Sequence, residues 1–430
     1  MKAIIWFTNN LRTLDHPLLH KACKEATTVE AFYCYDPSLF EEDLKGVVKI
    51  GPYRKKFLIE SLLDLQEQLE RLHIPLHIIV GKPEKEIPTL IENIGATDLF
   101  YQKNWHDEER QTEKAVRQNL NKQISYHSAY DQFLITPSEL PFEVSELPRV
   151  FTVFRKQIEK QCSIAAPLPI PKAIDQNIKA KVSKEWETIS KEVASIKNDP
   201  RTAFPFKGGS QAGLDRINSY FWDTDQVAVY KKTRNGMIGT SYSTKFSPWL
   251  ANGSVSARTI YQMLKQYEIE RTSNESTYWV FFELLWREFF KYVGLKHGNL
   301  LFKSGGILKK EFAQGQDTNL FLKWKEGNTS NSFINAHMKE LSKTGWMSNR
   351  GRQNVASYWS KTLGQDWRRG AAYFESMLLD YDVDSNWGNW MYTSGVGNDP
   401  RDRIFDPNRQ AKMYDPNGTF QKKWLQESLF

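Results

Sequence analysis

The segment YWVFFELLWREFFKY, residues 278–292, decides how the second half of this 430-residue chain folds. It contains neither proline nor glycine, and Trp279, Glu283, Trp286 and Phe290 recur at spacings of four, three and four. That period puts them on one face of an α-helix. A carboxylate is therefore set into an aromatic stripe, one turn before Arg287. Two readings stand. One is a core helix stabilised by a Glu283–Arg287 pair at i,i+4. The other is an aromatic-walled pocket whose carboxylate meets a flat polar ligand, because burying a carboxylate without a partner is costly.

Around this helix the pattern stays helical. Runs over Gly209–Phe221, Ser256–Gln266, Thr277–Lys296, Asn335–Lys343, Ser348–Leu363 and Trp367–Leu379 predict an all-helical second half, and 11 of the 14 tryptophans lie after residue 200. The first half reads differently. Short apolar strands at Lys2–Phe7, Val29–Tyr35, Leu76–Val80, Leu99–Gln102 and Ile124–His127 alternate with helical patterns, clearest at Tyr53–Leu72 and Asp107–Leu120. Such alternation predicts a doubly wound parallel sheet. The G-x-G-x-x-G fingerprint is missing after the first strand, which excludes an ordinary dinucleotide-binding domain. Between the halves the chain is proline-rich in places, with one helix near Arg149–Lys160. The expected organisation is an α/β N-terminal domain (1–127), a connector (128–200) and an all-α C-terminal domain (201–430).

Composition bounds the function classes. Apolar residues make up 40% and charged residues 25% of the chain, as in a globular protein. No stretch has the length of a membrane helix. The N-terminal MKAIIWFTNN is too short an apolar run for a secretion signal, so a cytoplasmic location is expected. Three scattered cysteines without a C-x-x-C argue against structural zinc or a disulfide framework. The net charge of +7 is compatible with a polyanionic partner.

Three more segments can hold chemistry. In GTSYSTKFSPWLANG, residues 239–253, hydroxyls, glycines and Lys245 precede a helical run, which suits either a diphosphate or a plain helix cap. In GWMSNRGRQNVASYWSKTLGQDWRRG, residues 345–370, arginines alternate with tryptophans, as in a nucleic-acid surface or a solvated basic face. In LDYDVDSNWGNWMYTSGVGNDP, residues 379–400, Asp380, Asp382 and Asp384 alternate, but the glycine and glutamate of a calcium loop are absent. No metal is expected there. An acidic turn between Trp387 and Trp390 would instead hydrogen-bond a heterocycle.

These four segments, in this order, resemble the flavin-binding domain of photolyases and cryptochromes. The strongest block runs from MSNRGRQNVAS (347–357) through SNWGNW (385–390) and GVGNDPR (395–401) to KMYDPNGTF (412–420). IIWFTNNLRTLDHPLL (4–19) and LPRVFTVFRKQIE (147–159) are similar to the family's opening strand and connector, so the resemblance covers nearly the whole chain. Gln353 and Tyr392 stand where repair enzymes of double-stranded DNA usually carry methionine and tryptophan, which points to the DASH branch.

The resemblance implies roles. Ser243, Thr244, Lys245, Phe246 and Ser247, with Tyr230 nearby, would hold the diphosphate of FAD. Asp380, paired with Arg352, and Asp382 would hydrogen-bond the isoalloxazine and its ribityl side, and Asn386 would face flavin N5. Glu283 and Asn349 would hydrogen-bond a pyrimidine dimer, and Trp286 would stack on it. Arg287 and Arg350 would contact substrate and flanking backbone, beside Gln353 and Tyr392. Trp390 and Trp367 match the inner two members of the family's electron-donating tryptophan chain. Gln314 occupies the distal place, with Phe312 or Trp359 as possible substitutes. The implied activity is blue-light repair of cyclobutane pyrimidine dimers, mainly in single-stranded or looped DNA, by a monomeric enzyme. A folate antenna, 5,10-methenyltetrahydrofolate, is common in the branch. Other departures are Thr8 and Asn10 for an arginine and an aspartate, Asn335 for an aspartate in TSNSFINA (329–336), and Trp346 for a phenylalanine. The alternatives are a photoreceptor that signals without repair and a nucleic-acid-binding module without photochemistry. The few residues after KMYDPNGTF leave little room for a receptor's extension.

Overall fold

The computed structural model describes residues 1–42, 48–120, 123–193, 195–311 and 314–426. Five parallel strands, β1 (Lys2–Phe7), β2 (Thr28–Tyr35), β3 (Leu76–Val80), β4 (Asp98–Gln102) and β5 (Ser125–Ala129), form one sheet in the order β3-β2-β1-β4-β5. β1 is buried at five of its six positions, as expected of a strand covered on both faces by crossover helices. The order reverses at β1. In open α/β sheets the crevice at the carboxyl ends of the strands, at such a reversal, is where ligands bind.

The second half is all-helical, built around the 23-residue helix Glu275–His297. Asn274 caps that helix, accepting from the Ser276 and Thr277 amides, while the Thr277 hydroxyl accepts from the Asn274 amide. Glu275–His297 packs against Val383–Ser394 and the connector helix Phe151–Gln161. Two expected helices end in one widened π-type turn each: Ser210–Asn218 runs into Ser219–Asp223, and Asn349–Ser357 into Tyr358–Thr362.

Two sequence expectations need correction. Residues 383–394, read as an acidic turn, form a helix whose N-cap is Asp382, accepting from the Ser385 amide at 2.9 Å. The connector holds a second helix, Lys184–Val193, which packs on β3 and on Pro52–Glu70, with Trp186 2% exposed beside Tyr35. Its amphipathic pattern is short and follows an irregular lysine-rich stretch, so the period was hidden.

The halves meet at a close backbone approach. Gly253 has φ +71°, and a Cβ there would lie 2.1 Å from the Asn9 carbonyl oxygen. Among the described residues no helix is long and apolar enough to cross a membrane, and no group of three or more His, Cys, Asp or Glu could hold a metal ion.

Because Trp186 fills the sheet half's core from the connector, Trp186→Ala should lower unfolding free energy by about 3–5 kcal/mol. Urea denaturation of the whole chain measures this. A loss under 1 kcal/mol would mean the connector helix is not part of that core.

Candidate active site

A cavity of about 260 Å³ opens between the 239–247 loop, the Glu275–His297 helix, the start of Asn349–Ser357 and the segment 380–385. It lies just below the range of about 300–1,000 Å³ usual for small-molecule sites. The five hydroxyl-loop residues Ser243 to Ser247 line it, as do Tyr230, Glu283, Arg287, Asn349, Arg352, Asp380 and Asp382. Sequence segments more than a hundred residues apart thus share one wall.

The loop is held from behind by Arg216, whose guanidinium donates to the carbonyls of Thr240, Ser243 and Thr244 at 2.9–3.1 Å. Burial lowers that guanidinium to about 10. The loop leads into a five-residue helix, Ser247–Ala251, and the expected helical run beyond it is present as Ala257–Glu270, capped by Ser256. Lys245 carries the local charge. It sits at φ +65° and is 2% exposed. Its Nζ is 3.1 Å from the Tyr242 ring centroid and 4.6 Å from that of Trp346, with no hydrogen-bond partner. Burial pushes the amine well below its ordinary value. Glu340 lies behind it, but burial raises that carboxyl to about 8, so it offers no full negative charge at neutral pH. A buried, unpartnered ammonium beside a run of hydroxyls is the donor set that an anion such as a diphosphate would complete.

Arg352 and Asp380 pair as expected. Nη2 lies 2.9 Å from both carboxylate oxygens, and Nε donates to the Met347 carbonyl. Asp382 accepts from Lys291 Nζ at 2.7 Å. Burial works against its charge, but Lys291 and Arg287 hold the carboxyl well below the usual range.

Glu283 corrects the sequence reading. It pairs with Arg234 rather than with Arg287, which turns to Glu288 at 2.9 Å. Burial raises the Glu283 carboxyl above its ordinary value, against the pull of Arg234. Arg234 also lies over Trp279, 4.7 Å from the ring centroid. Nothing in YKKTRNG (230–236) is periodic, so the sequence carried no local signal for Arg234.

Several expected site residues lie outside the cavity lining. Trp286 stacks on Phe151 of the connector helix, centroids 3.7 Å apart and planes 13° apart, and meets Tyr392 edge-on at 5.8 Å. Arg350 donates to Gln353 and to Asn235, both at 3.0 Å. Asn386 is buried and donates to the Ala371 carbonyl at 3.0 Å. Trp390 and Trp367 are buried, the first edge-on to Trp324 at 6.2 Å, the second donating to the Ser304 carbonyl at 2.9 Å. Gln314 is half-buried. Trp359 is fully buried, its ring 5.2 Å from Trp324. Phe312 lies outside the described residues.

A second, larger space of about 820 Å³ lies between the halves, at the carboxyl ends of β1, β2 and β4. Phe7, Tyr33, Cys34, Gln102, Glu109 and Lys49 are among its walls. One buried oxygen of Glu109 has no hydrogen-bond partner, and burial raises its carboxyl.

Residues 3–173 match the family model described as DNA photolyase, and residues 279–428 that of the FAD binding domain of DNA photolyase. The Cryptochrome DASH of Synechocystis sp. is 45% identical over 436 residues, spanning 99% of this chain and 87% of that protein. The chloroplastic/mitochondrial Cryptochrome DASH of Arabidopsis thaliana is 43% identical, spanning 99% and 75%. Among solved structures, a Synechocystis cryptochrome superposes with a TM-score of 0.91 at 44% identity, covering 99% of this chain and 88% of that one. A class III photolyase of Agrobacterium tumefaciens gives 0.83 at 25% identity, covering 99% and 86%.

Lys245→Met should separate charge from packing. Without flavin the variant should be more stable than the parent by about 1–3 kcal/mol, because a buried amine without a hydrogen-bond partner is gone. Its affinity for FAD should fall by about tenfold or more, the value of one charge-assisted contact. Denaturation of the stripped chain and FAD titration measure the two effects. Unchanged FAD affinity would remove Lys245 from the diphosphate site.

Proposed function

The chain belongs to the photolyase/cryptochrome family, in its DASH branch, and on that footing we propose that it repairs cyclobutane pyrimidine dimers under blue light, mainly in single-stranded or looped DNA. The observation that supports this best is the single cavity that gathers the Ser243–Ser247 hydroxyls, the orphaned Lys245 ammonium, the Arg352–Asp380 pair, Asn349 and the Arg234–Glu283 pair. The residues fit FAD at its anionic middle and its polar ring edge. When bound and reduced, that cofactor supplies the photoexcited electron which opens the cyclobutane ring and is recovered afterwards.

The chain's own residues bind, orient and exclude water. Lys245 and the neighbouring hydroxyls hold the diphosphate. Asp380, fixed by Arg352, accepts from the ring's N–H groups, and Asn386 is the amide assigned to N5. Glu283 and Asn349 hydrogen-bond the dimer's carbonyl and imide edges. The raised Glu283 carboxyl lets it share a proton with a pyrimidine carbonyl as charge develops there. Arg234 keeps Glu283 satisfied until a lesion arrives. It is then freed toward the DNA backbone, beside Arg350. Trp390 and Trp367 are the internal electron donors that restore reduced flavin. Gln353 and Tyr392 make a weaker wall than methionine and tryptophan, which suffices where the bases are already unpaired.

For the interdomain crevice we propose the folate antenna, 5,10-methenyltetrahydrofolate. The unpartnered Glu109 oxygen suits the N–H donors of a pterin edge, and Lys49 suits the acidic tail. Glu109→Gln should lose the antenna's near-ultraviolet absorption while keeping the flavin bands. Retention of both would exclude Glu109 as its anchor.

One observation favours a second reading, light sensing without repair: Phe151 already occupies one face of Trp286 by stacking on it. Repair of a dimer-containing oligonucleotide separates the two. Glu283→Ala should lower repair by about tenfold, near 1.4 kcal/mol, and Glu283→Gln should keep most of it. Single-stranded substrate should be repaired at least about tenfold better than duplex, the cost of opening a pair being avoided. No repair by the parent chain, with flavin bound and reduced, would leave the sensing reading.

A further inference from the structure

The crevice and the cavity share a wall: Leu250, Ala251, Arg287 and Asp382 face both. A row of buried charged groups crosses that wall from one half of the molecule to the other. His106, at the start of Asp107–Gln118 in the sheet half, places Nε2 2.8 Å from Asp384 Oδ1. Trp105 Nε1 donates to the same oxygen at 3.2 Å. The other Asp384 oxygen is 3.7 Å from Lys291 Nζ, which donates to Asp382 at 2.7 Å. His106, Lys291 and Asp384 are each under 9% exposed. Space for the row depends on Gly294, where a Cβ would come within 1.8 Å of Asp384 Oδ1.

His106 contributes to the charge balance of this row. Arg287 pairs with Glu288, whose carboxyl burial raises to about 7, so part of the Arg287 charge also supports Asp382. Lys291 faces two carboxylates, Asp382 and Asp384, and cannot balance both alone. A proton on His106 offsets Asp384. The groups facing the imidazole divide as follows. Asp384, on Val383–Ser394, and Glu109, on the imidazole's own helix, favour the proton. Lys291, on Glu275–His297, opposes it, as does the positive end of Asp107–Gln118. Phe302 contributes only a ring edge, 5.7 Å away. Asp107 and Glu108 are exposed and bonded to Asn299 and Lys49.

We propose that His106 is a positioning residue: protonated, it offsets the charge of Asp384 and leaves Lys291 to Asp382, whereas neutral it still donates Nε2–H but no longer offsets that charge, so Lys291 is drawn toward Asp384 and loosens its hold on the Asp382 carboxylate that caps the helix bearing Asn386 and Trp390. The relay stands on its own geometry. Only its consequence for flavin rests on the cavity's being the flavin site.

Burial lowers the His106 imidazole, but the hydrogen bond and charge of Asp384, with Glu109, outweigh burial and Lys291, so its folded value lies above the ordinary 6.5. The linkage sign follows. A histidine with a raised folded value contributes stability that is whole below the unfolded value and is lost as pH rises through the folded one. The relay should therefore loosen on the alkaline side of pH 6.5.

The test is NMR of the intact, flavin-containing chain with labelled histidine rings and labelled aspartate carboxyls. His106 should titrate above 6.5, and the Asp382 carboxyl signal should shift with the same midpoint. In Asp384→Asn the His106 midpoint should fall to 6.5 or below and the Asp382 shift should vanish. His106→Gln, which keeps a donor toward Asp384, should flatten the alkaline loss of stability and a severalfold alkaline loss of FAD affinity. A His106 that titrates at or below 6.5 in the parent, or an Asp382 signal that stays flat through the His106 step, overturns the proposal. If both signals behave as expected but FAD affinity does not follow pH, the relay stands and the assignment of Asp382 to the flavin fails.

Discussion

Arg12 holds the two halves of this protein in register, and it does so without a carboxylate. Its guanidinium is 2% exposed and donates four hydrogen bonds to carbonyls: two to Asp15, one to Asp131 and one to Gly253. Asp15 belongs to the sheet half, Asp131 to the start of the connector and Gly253 to the helical half. The planar fork of arginine suits this better than a lysine would, because its donors are fixed relative to one another. Gly253 ends the segment that begins at the hydroxyl loop, and the Leu11 amide donates to the neighbouring Asn252 carbonyl. The loop that faces the cavity is thus positioned by the first turn after β1.

From that lock follows a site built largely of charges kept out of water. Lys245, Asp380, Asp382 and Lys291 are each less than half exposed, and most are paired. Lys245 is the exception, and it also holds a left-handed backbone conformation. For a residue with a Cβ, such a conformation costs on the order of 1–3 kcal/mol and persists only where the surroundings enforce it. An unpaired charge and a strained backbone at one position of one cavity are two independent costs. A ligand anion would offset the first. Arg216, by tying up three carbonyls of the loop, sustains the second.

Much of this was legible in the sequence because it rests on short-range pattern. The strands show in short apolar runs, clearest in β1, β2 and β3, and Glu283 within its aromatic stripe shows in a helical period. The Arg352–Asp380 pair came from resemblance alone. The misreadings have physical causes. The alternation of Asp380, Asp382 and Asp384 read as an acidic turn and hid the helix that begins at Val383. Gly388 is there for packing: a Cβ would lie 2.4 Å from Phe290, so the small residue lets two helices touch. The partner of Glu283 was missed because i,i+4 geometry offered Arg287 first, whereas Glu288, one residue on and fully buried, claims that arginine. His106 and Asp384 lie 278 residues apart, and no local rule joins them.

The aromatic wall shows how such a site can be closed and still open. Trp286 packs face to face with Phe151 and edge-on to Tyr392. A stacked aromatic pair is worth about 0.5–1.5 kcal/mol beyond burial. A base that stacked on Trp286 would restore about what it displaced. The Arg234–Glu283 pair is partly exposed, and pairs of that kind are worth about 0–1 kcal/mol. Neither contact alone could bar a ligand that brings its own stacking and hydrogen bonds. The larger energetic demand on a lesion then lies in the DNA, in the pairing and stacking given up before a base can enter. In the repair reading, the substrate preference is therefore set by the strand as much as by the pocket, since an unpaired lesion arrives with that cost already removed.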